Sequence, residues 1–503
     1  MIPLKRLARL SASVRTRVAL LRTAIVVLTA LAVTACYPES KSESPAEQAG
    51  QATQSEPREA KTATIRTSER PPRTDSETTI FSGQTTSLSE TGGVVPGPTI
   101  DDIPEVPANV ALTHLFSAIA DLETQPEKGP VTILHIGDSH IAADRFSGSL
   151  REQFQSRFGD AGRGMMMPGL YLARGVKFDR GGKWKVSLST GGAEGPFGVT
   201  GAKVSASDSG AWIRLTKKDK PFAWCEITLD SGPGNGTIML SLDGQIKEAS
   251  TEGDVKSWRN IRLEGGAREL LIRPKGDGEV TIHSIAIGNK NAGVRYINLG
   301  LPGATALTPL RWDQTYLDND IKRLQPDMIM LSYGTHESLQ DDLNIPDYEA
   351  QVSVAISRLR RIAPNASLIV IGPPDVSVMP KYAARSGRAS DVCRDLSPSE
   401  RTNYDAMIKA EDPRLARWHP PRNLTAIRAS LRRLAAAHNA FFWDWSKPMG
   451  GPCGIHAWVQ NKPPLAAKDH IHLTEEGSQR SARLLFREIM MAYDSQARTA
   501  AAQ

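Results

Sequence analysis

The sequence predicts an α/β protein whose doubly wound parallel sheet is interrupted by an all-β sandwich. Five short apolar runs each end at a Gly or Asp residue, and stretches with helical spacing of apolar residues lie between them. A different pattern fills residues 176–289, where short alternating segments are separated by Gly-rich turns. Alternating strands and helices are typical of a parallel sheet with its site beyond the carboxyl ends of the strands, and the interruption indicates an inserted domain.

Residues 1–35 predict an export signal. Six basic residues and no acidic one precede Cys36, and the apolar stretch Ala24–Val33 is too short to cross roughly 30 Å of hydrocarbon. The ending Val33-Thr34-Ala35-Cys36 resembles the lipobox of bacterial lipoproteins. The resemblance implies a diacylated Cys36 as mature N-terminus, and Tyr37 after it favours a periplasmic protein held at the outer membrane. The alternative is an ordinary signal peptide in which Cys36 is incidental.

The net charge does not indicate a nucleic-acid partner. The chain has 503 residues, with 61 Lys and Arg against 55 Asp and Glu, which gives a formal charge of +6. Six of the basic residues lie in the predicted signal, so the other 55 balance the 55 acidic residues. A polyanion-binding protein is therefore not expected.

Residues 36–107 predict a disordered tether. Ser, Thr, Glu, Pro and Gln dominate this stretch, large apolar residues are few, and neither helical nor strand periodicity is present. A flexible coil of this kind would let an enzyme anchored in a membrane work at a distance from it. We expect membrane contact through the lipid alone, because no apolar stretch of spanning length follows Cys36.

The α/β domain is predicted in two parts, residues 108–175 and 290–495, with residues 496–503 as a disordered tail. Its strands are expected at Val131–Ile136, Gly293–Leu299, Met328–Tyr333, Ser367–Ile371 and Ala440–Trp443, and its main later helices at Tyr348–Ile362, Leu424–His438 and Glu475–Tyr493. The sandwich between the two parts holds four of the nine Trp residues: Trp184, Trp212, Trp224 and Trp258. Exposed Trp side chains could stack on sugar rings, whereas inward-facing ones would pack in the core.

Three Cys residues follow Cys36. In an oxidising compartment Cys393 and Cys453 could pair, which would leave Cys225 as a small buried hydrophobic residue. Spacing alone does not fix this connectivity.

Two short segments carry the residues best suited to chemistry. Ser139 follows Gly137-Asp138 where a buried strand meets a turn, a place that exposes a nucleophile. A serine hydroxyl needs a base, a carboxylate to orient that base, and donors for the oxyanion. Asp469 and His472, three residues apart before the last helix, can supply the orienting carboxylate and the base.

Gly137-Asp138-Ser139 with the late Asp469-x-x-His472 resembles the SGNH (GDSL) hydrolase superfamily. The resemblance implies a flavodoxin-like sheet, no cofactor and no metal, with Ser139, Asp469 and His472 as catalytic residues. The block Asn298-Leu-Gly-Leu-Pro-Gly303 is similar to the one whose glycine N–H serves the oxyanion hole, which implies that role for Gly303. The third block usually reads Gly-x-Asn-Asp or Gly-Thr-Asn-Glu, and here Gly334-Thr-His336-Glu implies His336 as a substitute donor.

Other segments are similar to a subgroup that includes bacterial peptidoglycan O-acetylesterases. They are Gly372-Pro-Pro-Asp375, Met449-Gly-Gly, Ala457-Trp458 and Pro463-Pro-Leu-Ala466. Those enzymes carry a sandwich similar to a carbohydrate-binding module between the serine and glycine blocks, where the sandwich pattern stands here. The resemblance implies an exported esterase that removes O-acetyl groups from a cell-envelope glycan, with peptidoglycan as the expected glycan.

Three alternatives remain. The same acyl-enzyme could pass its acetyl group to a sugar hydroxyl, as in a glycan O-acetyltransferase. The replacement of Asn by His336 also leaves open an inactive glycan-binding envelope protein. A binuclear metallophosphoesterase is suggested superficially by a set of His and Asp residues: His135, Asp138, His140, Asp144, His336, His470 and His472. It is disfavoured, because no Asp-x-His precedes Gly137-Asp138 and the Asn ligand is missing from Gly334-Thr-His336-Glu.

Some neighbouring residues are expected to have lesser roles. His140 is expected to support the serine turn or to line the cleft, and His470 to be structural or on the surface. Glu337 and Asp375 could line the cleft, or be loop carboxylates whose hydrogen bonds are already satisfied.

Overall fold

The computed structural model describes residues 65–68 and 103–501, except residues 172 and 388. Its strands are, in chain order, β1 Ile65–Ser68, β2 Val131–Gly137, β3 Gly164–Met166, β4 Val176–Gly181, β5 Lys185–Leu188, β6 Ala202–Ala206, β7 Trp212–Lys217, β8 Phe222–Ser231, β9 Thr237–Leu242, β10 Gln245–Ser250, β11 Ser257–Ala267, β12 Glu269–Pro274, β13 Val280–Gly288, β14 Val294–Gly300, β15 Met328–Ser332, β16 Ser367–Gly372, β17 Ser390–Cys393, β18 Arg417–Trp418 and β19 Phe441–Asp444.

The described residues also form α-helices. They are α1 Ala108–Ala111, α2 Thr113–Thr124, α3 Ser139–Ala142, α4 Phe146–Phe158, α5 Gln314–Leu324, α6 Thr335–Ser338, α7 Ile345–Ile362, α8 Lys381–Ser386, α9 Pro398–Thr402, α10 Tyr404–Lys409, α11 Leu424–Ala437, α12 Gly454–Gln460 and α13 Glu475–Ala501. None of these helices combines the length and the apolar composition that crossing a bilayer requires.

A five-stranded parallel sheet with the order β14-β2-β15-β16-β19 organises the α/β domain. Its first strand in the chain, β2, lies between the second and the third, which is the flavodoxin-like order. Gly137 at the end of β2 pairs with Gly300 of β14 and with Ser332 of β15. The loops after these three strands therefore meet at one edge, and the predicted doubly wound sheet is confirmed.

Helices cover both faces of this sheet. Apolar residues of α2, α4 and α13 fill one interior layer, represented by Phe116, Phe154 and Ile489. Residues of α5, α7 and α11 fill the other, represented by Leu317 and Val352. A parallel sheet buried on both faces needs strands that are apolar throughout, and β2, β15 and β16 are buried at every position.

The interrupting region is a sandwich of two antiparallel sheets. One has the order β1-β11-β8-β13-β6-β5, with β3 paired to β13, and the other has the order β10-β9-β12-β7-β4. Alternating inward residues such as Ile213, Ile227 and Ile272 fill the space between them. The predicted inserted β domain is thus confirmed. It extends beyond the predicted bounds of residues 176–289, because β1 and β3 also pair with its strands.

The structure departs from the predicted ends of the chain at two places. Helix α13 continues to Ala501. The prediction of a disordered tail at residues 496–503 is therefore wrong for residues 496–501. Within the predicted tether, Ile65–Ser68 form a strand antiparallel to β11. The signal peptide, the Cys36 lipidation site and the rest of the tether before residue 103 lie outside the described residues.

None of the four sandwich Trp residues is exposed. Trp224 is buried, and the guanidinium groups of Arg262 and Arg295 lie 3.9 Å and 5.3 Å from its ring. Trp184, Trp212 and Trp258 are half-buried. Trp224 therefore belongs to the apolar core that also contains Leu134 and Ile297 of the parallel sheet.

The cysteines pair as the sequence allowed. Cys393 and Cys453 form a disulfide, and Cys225 is buried in the sandwich. Burial raises the pKa of the Cys225 thiol to about 12, so this residue is an inert core group.

Candidate active site

Ser139 begins the short helix α3 directly after β2. The preceding Asp138 caps this helix, since its carboxylate accepts a hydrogen bond of 2.9 Å from the His140 N–H. A Cβ atom on Gly137 would lie 2.6 Å from the Ser332 carbonyl oxygen of β15. Only glycine therefore allows the end of β2 to pack this closely against β15. The turn holds Ser139 at the sheet edge, half-buried and open to the cleft.

A loop before helix α13 brings His472 to Ser139. The His472 Nε2 atom lies 3.2 Å from Ser139 Oγ, and its Nδ1 atom lies 2.7 Å from Asp469 Oδ2. The loop is held by its own backbone, because the Ala467 N–H donates to the His472 carbonyl over 2.8 Å. The structure therefore places Ser139, His472 and Asp469 in one hydrogen-bonded chain.

The Asp469 carboxylate is fixed by three donors. Besides the imidazole, the backbone N–H groups of Ile471 and His472 donate to its Oδ1 atom over 2.9 Å and 3.0 Å. Burial alone raises the pKa of Asp469, but these hydrogen bonds outweigh burial and lower that pKa to about 2. The carboxylate is thus ionised at every pH of ordinary assays, and it can orient the imidazole and stabilise its charged form.

Gly303 lies in a tight turn after β14. The Ala304 N–H donates to the Leu301 carbonyl over 3.0 Å, and Gly303 has a φ of +76°, as expected of the third residue in a type II turn. The hydrogen bond of this turn does not use the Gly303 N–H, and Gly303 is exposed. The predicted oxyanion donor is therefore at the edge that carries Ser139.

His336 lies in helix α6, after β15. Its Nε2 atom is buried and has no hydrogen-bond partner among the described residues. Burial lowers the pKa of this imidazole, with Asp138 opposing the shift and His140 and His472 adding to it. The side chain is neutral and can donate one N–H at the edge where Ser139 lies.

The described residues hold no group of three or more His, Cys, Asp or Glu side chains arranged to bind a metal ion. His135, one residue of the metal alternative, is buried between the Tyr296 hydroxyl and Ser332 Oγ, each 2.7 Å from a ring nitrogen. Burial lowers its pKa to about 3, so it is a neutral core residue beneath the serine turn.

Comparison with known proteins identifies the domain. Residues 285–480 match the model of the GDSL-like Lipase/Acylhydrolase family. The chain carries a GDSL-like hydrolase domain. The matched range contains Gly303, His336, Asp469 and His472, and Ser139 lies before it, on the other side of the sandwich in the sequence. The enzyme class is that of the carboxylic ester hydrolases.

Solved structures resemble the GDSL-like hydrolase to different extents. A peptidoglycan O-acetylesterase is 24% identical with a TM-score of 0.61, over 78% of this chain and 99% of that chain. A family two carbohydrate esterase from Cellvibrio japonicus is 11% identical with a TM-score of 0.23, over 63% and 98%. A GDSL-like lipase from Bacteroides thetaiotaomicron is 18% identical with a TM-score of 0.25, over 39% and 76%. The first likeness shows the fold, and no curated protein sequence matches the chain.

Glu337 of the GDSL-like hydrolase has a defined structural role. Its Oε1 atom accepts the Ala306 N–H over 2.7 Å, and its Oε2 atom accepts the Gly334 N–H over 3.2 Å. The carboxylate thereby joins the loop that follows Gly303 to the turn that carries His336. Of the two sequence alternatives, the satisfied buried carboxylate is the observed one.

Asp375 is likewise buried rather than a lining residue of the cleft. Its Oδ2 atom accepts the Ile455 N–H at the start of α12 over 3.1 Å, and Arg428 lies 3.7 Å from its Oδ1 atom. The contact between Asp375 and Arg428 could not be predicted from the sequence, because the two residues lie 53 positions apart in different elements.

His470 is buried and has a φ of +56°. Its burial fits the expected structural role. Its Nε2 atom lies 2.9 Å from His456 Nδ1 of α12, and its ring stacks on Trp418 of β18 at a centroid distance of 3.6 Å. Its carbonyl accepts the Ser377 N–H over 2.9 Å. These contacts fix the backbone next to Asp469.

Proposed function

We propose that this GDSL-like hydrolase is an exported, lipid-anchored serine esterase that removes O-acetyl groups from a cell-envelope glycan, with peptidoglycan as the substrate. The observation that carries the proposal is the chain of hydrogen bonds from Ser139 through His472 to Asp469 at the carboxyl edge of the sheet. The fold likeness to a peptidoglycan O-acetylesterase, which extends over 99% of that protein, supports the choice of substrate. Cys36 is the proposed lipid attachment site in the periplasm, at the outer membrane.

In this mechanism Ser139 Oγ attacks the acetyl carbonyl carbon while His472 Nε2 accepts its proton. The Gly303 and Ser139 N–H groups and the His336 imidazole donate to the oxyanion. His472 then returns the proton to the departing sugar hydroxyl, which leaves an acetyl group on Ser139. A water molecule, deprotonated by His472, attacks that ester and releases acetate, so the serine is regenerated without a cofactor.

Exposure of the base favours hydrolysis over acetyl transfer. The His472 and Asp469 side chains are 46% and 36% exposed, so bulk water has access to the acyl-enzyme. A transferase would need a site that excludes water until the sugar acceptor binds. The hydrolase is therefore the function we favour over an O-acetyltransferase.

A chromogenic ester tests the esterase chemistry. Full-length protein should hydrolyse p-nitrophenyl acetate. Ser139→Ala should lose this activity, because Ser139 Oγ is the hydroxyl bonded to His472 among the described residues. Ser156→Ala, the same substitution on the exposed part of α4, should leave the rate unchanged. Equal rates for Ser139→Ala and the wild type would overturn the proposal. An inert wild type that still sediments with peptidoglycan would favour the glycan-binding alternative.

A further inference from the structure

His140 connects the serine turn to the histidine loop. Its Nδ1 atom lies 3.3 Å from Asp138 Oδ1, and its Nε2 atom lies 3.0 Å from the Ile471 carbonyl oxygen. Asp138 precedes Ser139, and Ile471 precedes His472. One buried side chain thus spans the two segments whose separation sets the distance from Ser139 to His472.

Both partners of the His140 ring accept hydrogen bonds and neither can donate one. The Ile471 oxygen is a backbone carbonyl, and the Asp138 carboxylate also accepts the His140 backbone N–H over 2.9 Å. A neutral imidazole carries one N–H and would direct a lone pair at the other acceptor. Only the imidazolium, with an N–H on each ring nitrogen, satisfies both contacts.

The surroundings of His140 are compatible with this charge. Asp138 supplies a buried negative charge at one ring nitrogen, and Asp469 adds a second, more distant one. The other titratable groups nearby are His472, whose ring centroid lies 5.4 Å away, and His336, which burial keeps neutral. The remaining ring contact is the uncharged Trp445, edge-on at 5.7 Å.

We propose that His140 is a positioning residue, held as an imidazolium, whose two N–H groups fix the histidine loop against the serine turn. It contacts neither the substrate nor the reacting atoms, and it acts through the distance from Ser139 Oγ to His472 Nε2. The inference rests on the proposed roles of Ser139 and His472.

The sign of the pH effect follows from the bridge. Burial alone lowers the pKa of His140, but Asp138 and the Ile471 carbonyl outweigh burial and raise it above the ordinary value of 6.5. A raised pKa means that the bridge is complete below that value and is lost as the pH rises through the pKa in the folded protein. Loss of one N–H removes one of the two hydrogen bonds of His140, so kcat should fall at pH values above this pKa.

The protonation state is measured directly on the full-length wild type. In protein labelled with ¹⁵N-histidine, both ring nitrogens of His140 should show the chemical shifts of protonated nitrogen at pH 7.5, where an ordinary imidazole is about nine-tenths neutral. The His140→Gln spectrum assigns the signals by their loss. A neutral ring at that pH would overturn the inference, whatever the activity of the protein.

Kinetics test the positioning role. His140→Gln, which keeps one donor and cannot titrate, should lower kcat on the order of 10²-fold with KM within about twofold, and should lack the alkaline limb. His438→Gln, the same change at the carboxyl end of α11, should match the wild type. An unchanged kcat or an alkaline limb retained in His140→Gln would contradict the inference. Activity retained by Ser139→Ala would instead contradict the proposed function and leave the spectroscopic result intact.

Discussion

His336 stands where the similar block of SGNH hydrolases carries an asparagine, and its Nε2 atom has no hydrogen-bond partner among the described residues. Burial lowers the pKa of the imidazole, which favours the neutral form that can donate one N–H. We expect His336→Ala to lower kcat for acetate ester hydrolysis by about 10²–10³-fold, because removal of one oxyanion donor typically has that effect. His336→Asn should stay within about tenfold of the wild type, since an amide N–H can take over the contact. Steady-state kinetics on p-nitrophenyl acetate measure both, with His114→Ala as an exposed control. A His336→Ala enzyme as fast as the wild type would remove His336 from the site.

Glu337 gives a pH dependence of stability with a defined sign. Burial raises its pKa from 4.5 to about 7, although the Ala306 and Gly334 N–H groups oppose the shift. The folded protein therefore retains a proton between about pH 4.5 and pH 7 that the unfolded chain releases, so this residue makes the protein less stable as the pH rises through that window. Glu337→Gln should lose this component. Urea unfolding at several pH values measures it, and parallel pH profiles for the two proteins would contradict the assignment.

At the residue scale the sequence predicted the residues that belong to motifs and missed those defined by distant partners. Ser139 could be predicted because it lies in a short motif, and so could Asp469 and His472, and the structure brings the three within hydrogen-bonding distance. The bridging role of His140 depends on the carbonyl of Ile471, which is 331 positions away. The role of Glu337 depends on two backbone N–H groups, and backbone donors leave no mark in a sequence.

Among the elements, the segment around α12 braces the histidine loop. Cys453 precedes α12 and is bonded to Cys393 of β17, while His456 of the same helix contacts His470 beside Asp469. The disulfide closes a loop with a sequence separation of 60, for which about 2–4 kcal/mol of stabilisation is typical.

Loss of this disulfide should therefore affect both stability and activity. We expect Cys393→Ser with Cys453→Ser to lower the free energy of unfolding by roughly 2–4 kcal/mol. The kcat should also fall, since the loop that carries Asp469 and His472 loses a support. Cys225→Ala, outside the disulfide and in the sandwich core, is the control for kcat. Urea unfolding and ester hydrolysis measure the two effects. Equal stability of the oxidised wild type and the double variant would contradict a stabilising role of the disulfide.

The sequence placed most elements of the α/β domain within a few residues, because each buried parallel strand is an apolar run that ends in a turn residue. It missed β3, whose three residues Gly164–Met166 are too short to show alternation and pair with β13 from outside the expected sandwich. It also ended the last helix early, because the apolar stripe of α13 ends near Tyr493 while the helix continues in polar residues.

In the whole molecule, hydrogen bonds tie the sandwich to helix α5 of the α/β domain. The Tyr316 hydroxyl donates to Asp230 of β8 over 2.6 Å, and Asp320 accepts the Val199 N–H over 3.0 Å. Arg323 of α5 also pairs with Glu226 of β8. The sandwich is therefore packed as part of the hydrolase and is not a freely tethered module.

Calorimetry should accordingly show one cooperative unfolding transition for the α/β domain and sandwich together. Tyr316→Phe should lower the melting temperature of that transition, because the loss of a hydrogen bond to a charged group costs about 1.5–3 kcal/mol. Tyr382→Phe, which removes a hydrogen bond from helix α8 to the Asp412 carbonyl away from this interface, serves as the matched control. Two separate transitions, of which one responds to Tyr316→Phe, would mean that the domains unfold independently.

The release of acetate from O-acetylated peptidoglycan by the full-length protein tests the central claim most directly. The wild type should release acetate, Ser139→Ala should release none, and Ser156→Ala should equal the wild type. Acetate release by Ser139→Ala, or none by a wild type that hydrolyses p-nitrophenyl acetate, would contradict the proposal that this protein removes O-acetyl groups from peptidoglycan.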